Sequence, residues 1–231
     1  MSKAQNQLDE IFITLKELYP KLNAPIVKLL AYKNKDPFKT LICALLSTRT
    51  KDQTTAKVCE KLLKLIHTPK DILKLTQEEL SKLIYPVAFY KNKSAQLIEI
   101  AQTLETSFGG LVPESLEELL KLKGVGRKVA NLVLAEGFSK PALCVDVHVH
   151  RISNRLGIIS TKTPYQTELE LSRLYPAESW IELARYLVAF GQSICKPVKP
   201  LCETCPLNHL CLSARALKTP KPTSQTQKSR H

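Results

Sequence analysis

Four cysteines near the C-terminus, Cys195, Cys202, Cys205 and Cys211, stand at the spacing C-x6-C-x2-C-x5-C. Four thiols gathered into so short a segment close together around a metal. The chain holds seven cysteines, an odd number. The other three, Cys43, Cys59 and Cys144, lie singly in apolar stretches and read as buried structural thiols. Thiolates in fours bind either tetrahedral zinc or an iron-sulfur cluster. Zinc ribbons pair two short knuckles across a longer span, whereas here one C-x-x-C is flanked by single cysteines. Spacing by itself leaves both centres open.

Charge narrows the partner. Among 231 residues, 34 Lys and Arg face 21 Asp and Glu, a formal net charge of +13, and such an excess favours a polyanion, of which nucleic acid is the commonest. No apolar run approaches the roughly 18 residues of a membrane span. The start of the chain, MSKAQNQLDE, has neither an apolar core nor a cleavage signal. The expectation is an intracellular, reducing compartment, the cytoplasm and its nucleoid if the source is prokaryotic, where metal-bound thiolates are favoured over disulfides.

The hydrophobic pattern is helical almost throughout. Apolar residues recur at three and four spacings in Leu8, Ile11, Phe12, Leu15 and Leu18, in Leu41, Ile42, Leu45 and Leu46, and in Leu116, Leu119 and Leu120. With only seven glycines, proline supplies the punctuation, at Pro20, Pro25, Pro37, Pro69, Pro86, Pro113, Pro141, Pro164 and Pro176. Asp36 before Pro37 predicts an N-cap followed by proline in the first helical position. From Ala216 the pattern dissolves into Lys, Thr, Pro, Ser and Gln, which predicts a disordered basic tail.

The stretch Leu122-Lys123-Gly124-Val125-Gly126-Arg127-Lys128-Val129-Ala130-Asn131 predicts a helix that ends at Gly124, a tight hairpin, and an apolar helix that starts at once. Two glycines let the backbone turn sharply and approach another surface with no Cβ between. The first amides of the second helix, with the positive end of its dipole, suit one phosphate of a nucleic-acid backbone without reading sequence.

Taken in order, this chain resembles the helix-hairpin-helix DNA glycosylases, and among them the endonuclease III family. The resemblance spans about residues 30 to 212. It rests on Leu45-Leu46-Ser47-Thr48 with Lys51-Asp52, on Phe89-Tyr90-Lys91-Asn92-Lys93, on the hairpin, on Val145-Asp146-Val147-His148 with Arg151, on Phe190-Gly191, and on the four cysteines. It implies one 4Fe-4S cluster on Cys195, Cys202, Cys205 and Cys211. It also implies that Lys128 is the nucleophile that attacks the sugar C1′, forms a Schiff base and permits β-elimination. Asp146, a carboxylate in an otherwise apolar run, is implied to activate the lysine or to stabilise the cationic sugar. Gly124, Val125, Gly126 and Arg127 of the hairpin, with Arg49 and Phe89, are implied to contact DNA. Arg49 stands where these enzymes commonly have glutamine, at the position expected to fill the gap left by a flipped nucleotide. His148 and His150 read as hydrogen-bonded structural members. Alternation at Val145, Val147 and Val149 suggests a strand, while the family places a loop entering a helix there.

The expected architecture is all-α with two domains. Residues 30–140 form a six-helix bundle carrying the helix-hairpin-helix at about 108–136; residues 1–29 with 141–215 form the iron-sulfur domain; residues 216–231 are the tail. The expected activity is a bifunctional DNA glycosylase and abasic-site lyase for oxidised pyrimidines, acting as a monomer on damaged double-stranded DNA. Two alternatives stand beside it: a monofunctional mismatch glycosylase of the same superfamily, and a non-catalytic iron-sulfur DNA-binding module.

Overall fold

The structure, a computed structural model, describes residues 3–22 and 35–218. Among these residues the regular elements are all helical. In chain order they are α1 (Lys3–Leu18), α2 (Pro37–Ser47), α3 (Asp52–Leu62), α4 (Pro69–Leu73), α5 (Gln77–Ile84), α6 (Tyr90–Phe108), α7 (Leu116–Leu119), α8 (Arg127–Leu132), α9 (Val147–Leu156), α10 (Pro164–Leu174), α11 (Trp180–Ser193) and α12 (Leu212–Lys218). A π-helical turn, Val133–Gly137, prolongs α8. None of these helices is long and apolar enough to cross a membrane.

Helix starts follow the sequence closely. Asp36 accepts the Lys39 amide at 3.0 Å with Pro37 next in line, as its position predicts. Thr68 with Asp71, Thr76 with Glu79 and Thr163 with Gln166 form capping boxes, two of them followed by proline, so orphan amides are satisfied locally. Pro25 and the chain beyond Lys218 lie outside the described residues. Ala216, where the tail is expected to start, still belongs to α12, which runs on to Lys218; Ala214 of this helix is buried and the helix packs against α9.

Two hydrophobic cores organise the molecule. The first gathers α2 through α8, from Phe38 to Ala142. At its centre lies α2, where Leu41, Ile42, Leu45 and Leu46 are all buried, the signature of a helix surrounded by others. The second takes α1, the segment from Leu143, and α9 to α11. Its α1 inserts Ile11 and Leu15, both without exposed surface, and packs against α11. The chain passes between cores at Ala142 and Leu143, and the buried Asn131 amide of α8 donates to Leu143 O at 3.1 Å across that junction. Cys43, Cys59 and Cys144 are buried and outside any disulfide, as read.

Candidate active site and metal centre

Two helix starts converge where the cores meet. At the first, Gly124 has φ +71°, and a Cβ there would lie 2.2 Å from the Gln96 amide nitrogen, which donates to Lys123 O at 2.9 Å. This turn therefore requires glycine. Val125 buries its side chain and commits its amide to Leu122 O at 3.0 Å, so the donors left for a ligand begin after it. Gly126 differs. Its φ is an ordinary −89° at the N-cap of α8, and a Cβ would meet nothing within 4 Å. Among the described residues, nothing explains a glycine there.

The two basic residues that follow part company. Arg127 turns toward α10, where its Nε and Nη2 each lie 2.8 Å from the Glu168 carboxylate and its guanidinium sits 4.8 Å from the Tyr165 ring centroid. Lys128 is exposed and lines a cavity between the cores together with Asp52, Glu136, Cys144, Asp146, His148, Arg185 and Gln192.

The second helix start is Asp146, the N-cap of α9. Its Oδ1 accepts the amides of His148 at 2.8 Å and Val149 at 2.9 Å, which holds the carboxylate at the positive end of the helix. The valine alternation is not a strand. Val145 and Val149 are buried while Val147 is 69% exposed, because the chain changes from extended to helical between them. His148 Nδ1 lies 3.2 Å from Arg151 Nη2, and His150 Nδ1 lies 2.6 Å from Thr167 Oγ1. Gly191 lets α9 approach α11: a Cβ would come within 2.7 Å of His148 Nδ1 and 2.8 Å of Ile152 Cδ1.

Asp52, like Glu136, Arg185 and Gln192, lines this cavity without the sequence having singled it out for a role. Burial raises its pKa, against the opposing effects of the Gln192 hydrogen bond and of Lys128. His148 is shifted down, again first by burial. Further in, the buried Glu136 carboxylate is paired with Arg185 of α11, Nε to Oε1 at 2.7 Å, through a second contact between Arg185 Nη2 and Oε2. Arg49 and Phe89, far apart in sequence, meet on the surface, with the guanidinium 5.8 Å from the ring centroid. Lys93 is buried close by, with its Nζ 2.6 Å from Thr48 O, and this burial escapes a sequence reading, since a lysine between polar neighbours carries no signal of it.

Cys195, Cys202, Cys205 and Cys211 ring one cavity of about 470 Å³. Among the described residues, no three His, Cys, Asp or Glu side chains converge as they would around a single ion. A ring of four thiols about a cavity of this size fits a cluster of several metals better than one zinc held at about 2.3 Å by every sulfur. The donor set asks for positive charge as well. Burial raises the Cys205 thiol pKa, and the other three sulfurs push it the same way. Arginines of α9 brace the loop: Arg155 donates to Cys195 Sγ at 3.6 Å, Lys196 O at 2.7 Å and Pro197 O at 2.9 Å, and Arg151 donates to Cys195 O at 2.8 Å.

Comparison with known proteins agrees with this geometry. Residues 42–177 match the HhH-GPD superfamily base excision DNA repair proteins, and residues 195–211 match the iron-sulfur binding domain of endonuclease III. Endonuclease III of Thermotoga maritima is 49% identical over 180 residues, covering 78% of this chain and 84% of that one. A solved non-covalent complex of endonuclease III with DNA superposes with a TM-score of 0.83 at 31% identity, over 94% of this chain and 99% of the other. A trapped covalent intermediate of endonuclease III with DNA, an estranged-adenine complex, gives 0.84 at 31% identity, over 95% and 100%. The chain belongs to the endonuclease III family of base excision repair DNA glycosylases and abasic-site lyases, which carry a 4Fe-4S cluster.

Proposed function

We propose that this enzyme removes oxidised pyrimidines from double-stranded DNA and cuts the strand 3′ to the abasic site through a Schiff base on Lys128. The observation that carries this reading is the shared cavity: Lys128 and Asp146, brought by two separate helix starts, line it together. The Lys128 Nζ lone pair attacks C1′, and the glycosidic bond breaks with its electron pair leaving on the base, which takes up a proton. Asp146 receives the amine proton or faces the positive charge that develops on the sugar. Opening of the sugar at O4′ gives the Schiff base. Loss of a C2′ proton then expels the 3′ phosphate with the C3′–O electron pair. Asp52, kept partly out of water and close enough to Lys128 to interact with its charge, is a second candidate for proton transfer in the same cavity.

Gly124 and Val125 shape the hairpin turn, the backbone from Gly126 onward binds one phosphate, and the glycine at 126, which no described neighbour requires, is explained by a phosphate lying against it. Arg127 acts here mainly by fixing α8 to α10. Arg49 and Phe89 enter the duplex beside the flipped nucleotide. Cys195, Cys202, Cys205 and Cys211 hold the 4Fe-4S cluster, which orders the basic segment from Lys196 to Lys199 as a phosphate contact. In a prokaryotic source the enzyme works at the nucleoid.

Borohydride trapping on abasic-site DNA tests the assignment. Lys128→Ala should lose the trapped adduct and strand cleavage while still binding abasic DNA, because the hairpin donors are backbone groups. An undiminished adduct in that variant refutes the role of Lys128.

A further inference from the structure

We propose that Lys93 is a positioning residue that locks Arg49 and Phe89 into one unit for probing the duplex. This rests on the reading above that both side chains enter DNA.

Lys93 rises from α6, is only 6% exposed, and crosses to the end of α2. Its Nζ donates to Leu46 O at 2.8 Å, Thr48 O at 2.6 Å and Thr50 Oγ1 at 3.2 Å. Two of those acceptors are carbonyls at the negative end of α2, where a cation is favoured. The third, Thr50 Oγ1, also accepts the Ala88 amide at 3.2 Å. Ala88 directly precedes Phe89. One buried amine and one hydroxyl thus tie the loop before α3 to the turn before α6. Arg49 projects from that loop and Phe89 from that turn.

The backbone gives an independent reason to see this network as purposeful. Arg49 has φ +53° and Phe89 φ +58°, a left-handed conformation that side-chain-bearing residues avoid and keep only where surrounding contacts over-determine it. Both strained residues flank the Lys93 to Thr50 to Ala88 chain of hydrogen bonds. Both present large exposed side chains, Phe89 at 58% exposure, that meet each other. A lysine placed for stability alone has no need to hold two strained residues whose side chains point outward. Burying an amine is also unfavourable in itself, and here burial pushes its pKa down to about 8.

The test uses the full chain with its cluster and a duplex carrying a tetrahydrofuran abasic analogue opposite 2-aminopurine. Binding of the native protein should raise the fluorescence as the opposite base is unstacked, and Arg49→Ala and Phe89→Ala should each suppress that rise. Lys93→Met and Thr50→Val should suppress it to the same level. On abasic DNA their KM should rise roughly tenfold, as expected for a misplaced contact, with kcat and the borohydride-trapped yield at saturating DNA preserved. If the two direct variants lose the signal but Lys93→Met and Thr50→Val keep it, the proposal falls and the reading of Arg49 and Phe89 stands. If the direct variants keep the signal, that reading falls and takes the proposal with it. Should Lys93→Met fail to fold, Thr50→Val decides alone. Equal loss of signal, kcat and trapping in Thr50→Val overturns the proposal in favour of a purely structural role.

Discussion

Asp52 is a carboxylate held where water is scarce, and that has a consequence for stability. Its pKa in the fold is raised above the ordinary 3.8 by burial, so the native state binds a proton more tightly than the unfolded chain. Stability falls as pH rises through that interval, and above it the ionised group is a constant burden. Asp52→Asn should therefore melt higher than the native protein at neutral pH, an advantage that vanishes as pH drops below about 4, while base release slows. Thermal melts at several pH values, paired with single-turnover cleavage, check both halves. Lys93 has the opposite sign. Its pKa falls from 10.5 to about 8 in the fold, so between those values the unfolded chain binds more protons and native stability climbs with pH. Lys93→Met should lose that climb, measured as urea midpoints on either side of the window.

At the scale of an element, α9 puts its capping side chain in the proposed catalytic cavity. Asp146 satisfies two amides of its first turn and also faces the lysine cavity. Substitutions separate the two duties. Asp146→Asn keeps an oxygen for the cap and should leave the melting temperature nearly unchanged while slowing base release by about 10²- to 10⁴-fold. Asp146→Ala should slow it similarly and destabilise the protein by about 0.5–2 kcal/mol as well. The close approach of α9 to α11 gives a second expectation. Gly191→Ala would drive a methyl group against His148 and Ile152, and overpacking of this kind costs about 1–3 kcal/mol, visible as a lower denaturation midpoint. That glycine explains why the Phe190-Gly191 pair accompanies the Asp146 segment in sequence: the two helices touch there.

At the scale of the molecule, the two cores are clamped by paired charges as well as by apolar contact. Arg127 to Glu168 lies near the surface, where an ion pair contributes little, about 0–1 kcal/mol. Glu136 to Arg185 is different, since the Glu136 side chain is 5% exposed. Truncating Arg185 to Ala would strand a buried carboxylate beside the active cavity and should destabilise the protein by about 3–5 kcal/mol. The matching variant Glu136→Gln should cost less, because it removes the charge that needs a partner. Chemical denaturation of both variants decides the order, and the reverse ranking would show that Arg185 works through packing alone.

The sequence by itself determined a good deal. Periodicity and proline placement fix a helical chain, because local preferences act over a few residues; Asp36 with Pro37 shows this directly. The glycine hairpin and the four cysteines are legible because their chemistry demands particular residue types at short spacings. Only the tertiary structure decided which side chains share a cavity. It brought Asp52 and Gln192, 140 positions apart, beside Lys128 and Asp146. It turned Arg127 away toward Glu168, and it sank Lys93 against the carbonyls at the end of α2. It also resolved the valine alternation into a loop and a helix, since which valine faces water depends on what α9 packs against. The physical reason is common to all of these. Burial and charge pairing are made by segments remote in sequence, and no window of neighbouring residues contains the partner.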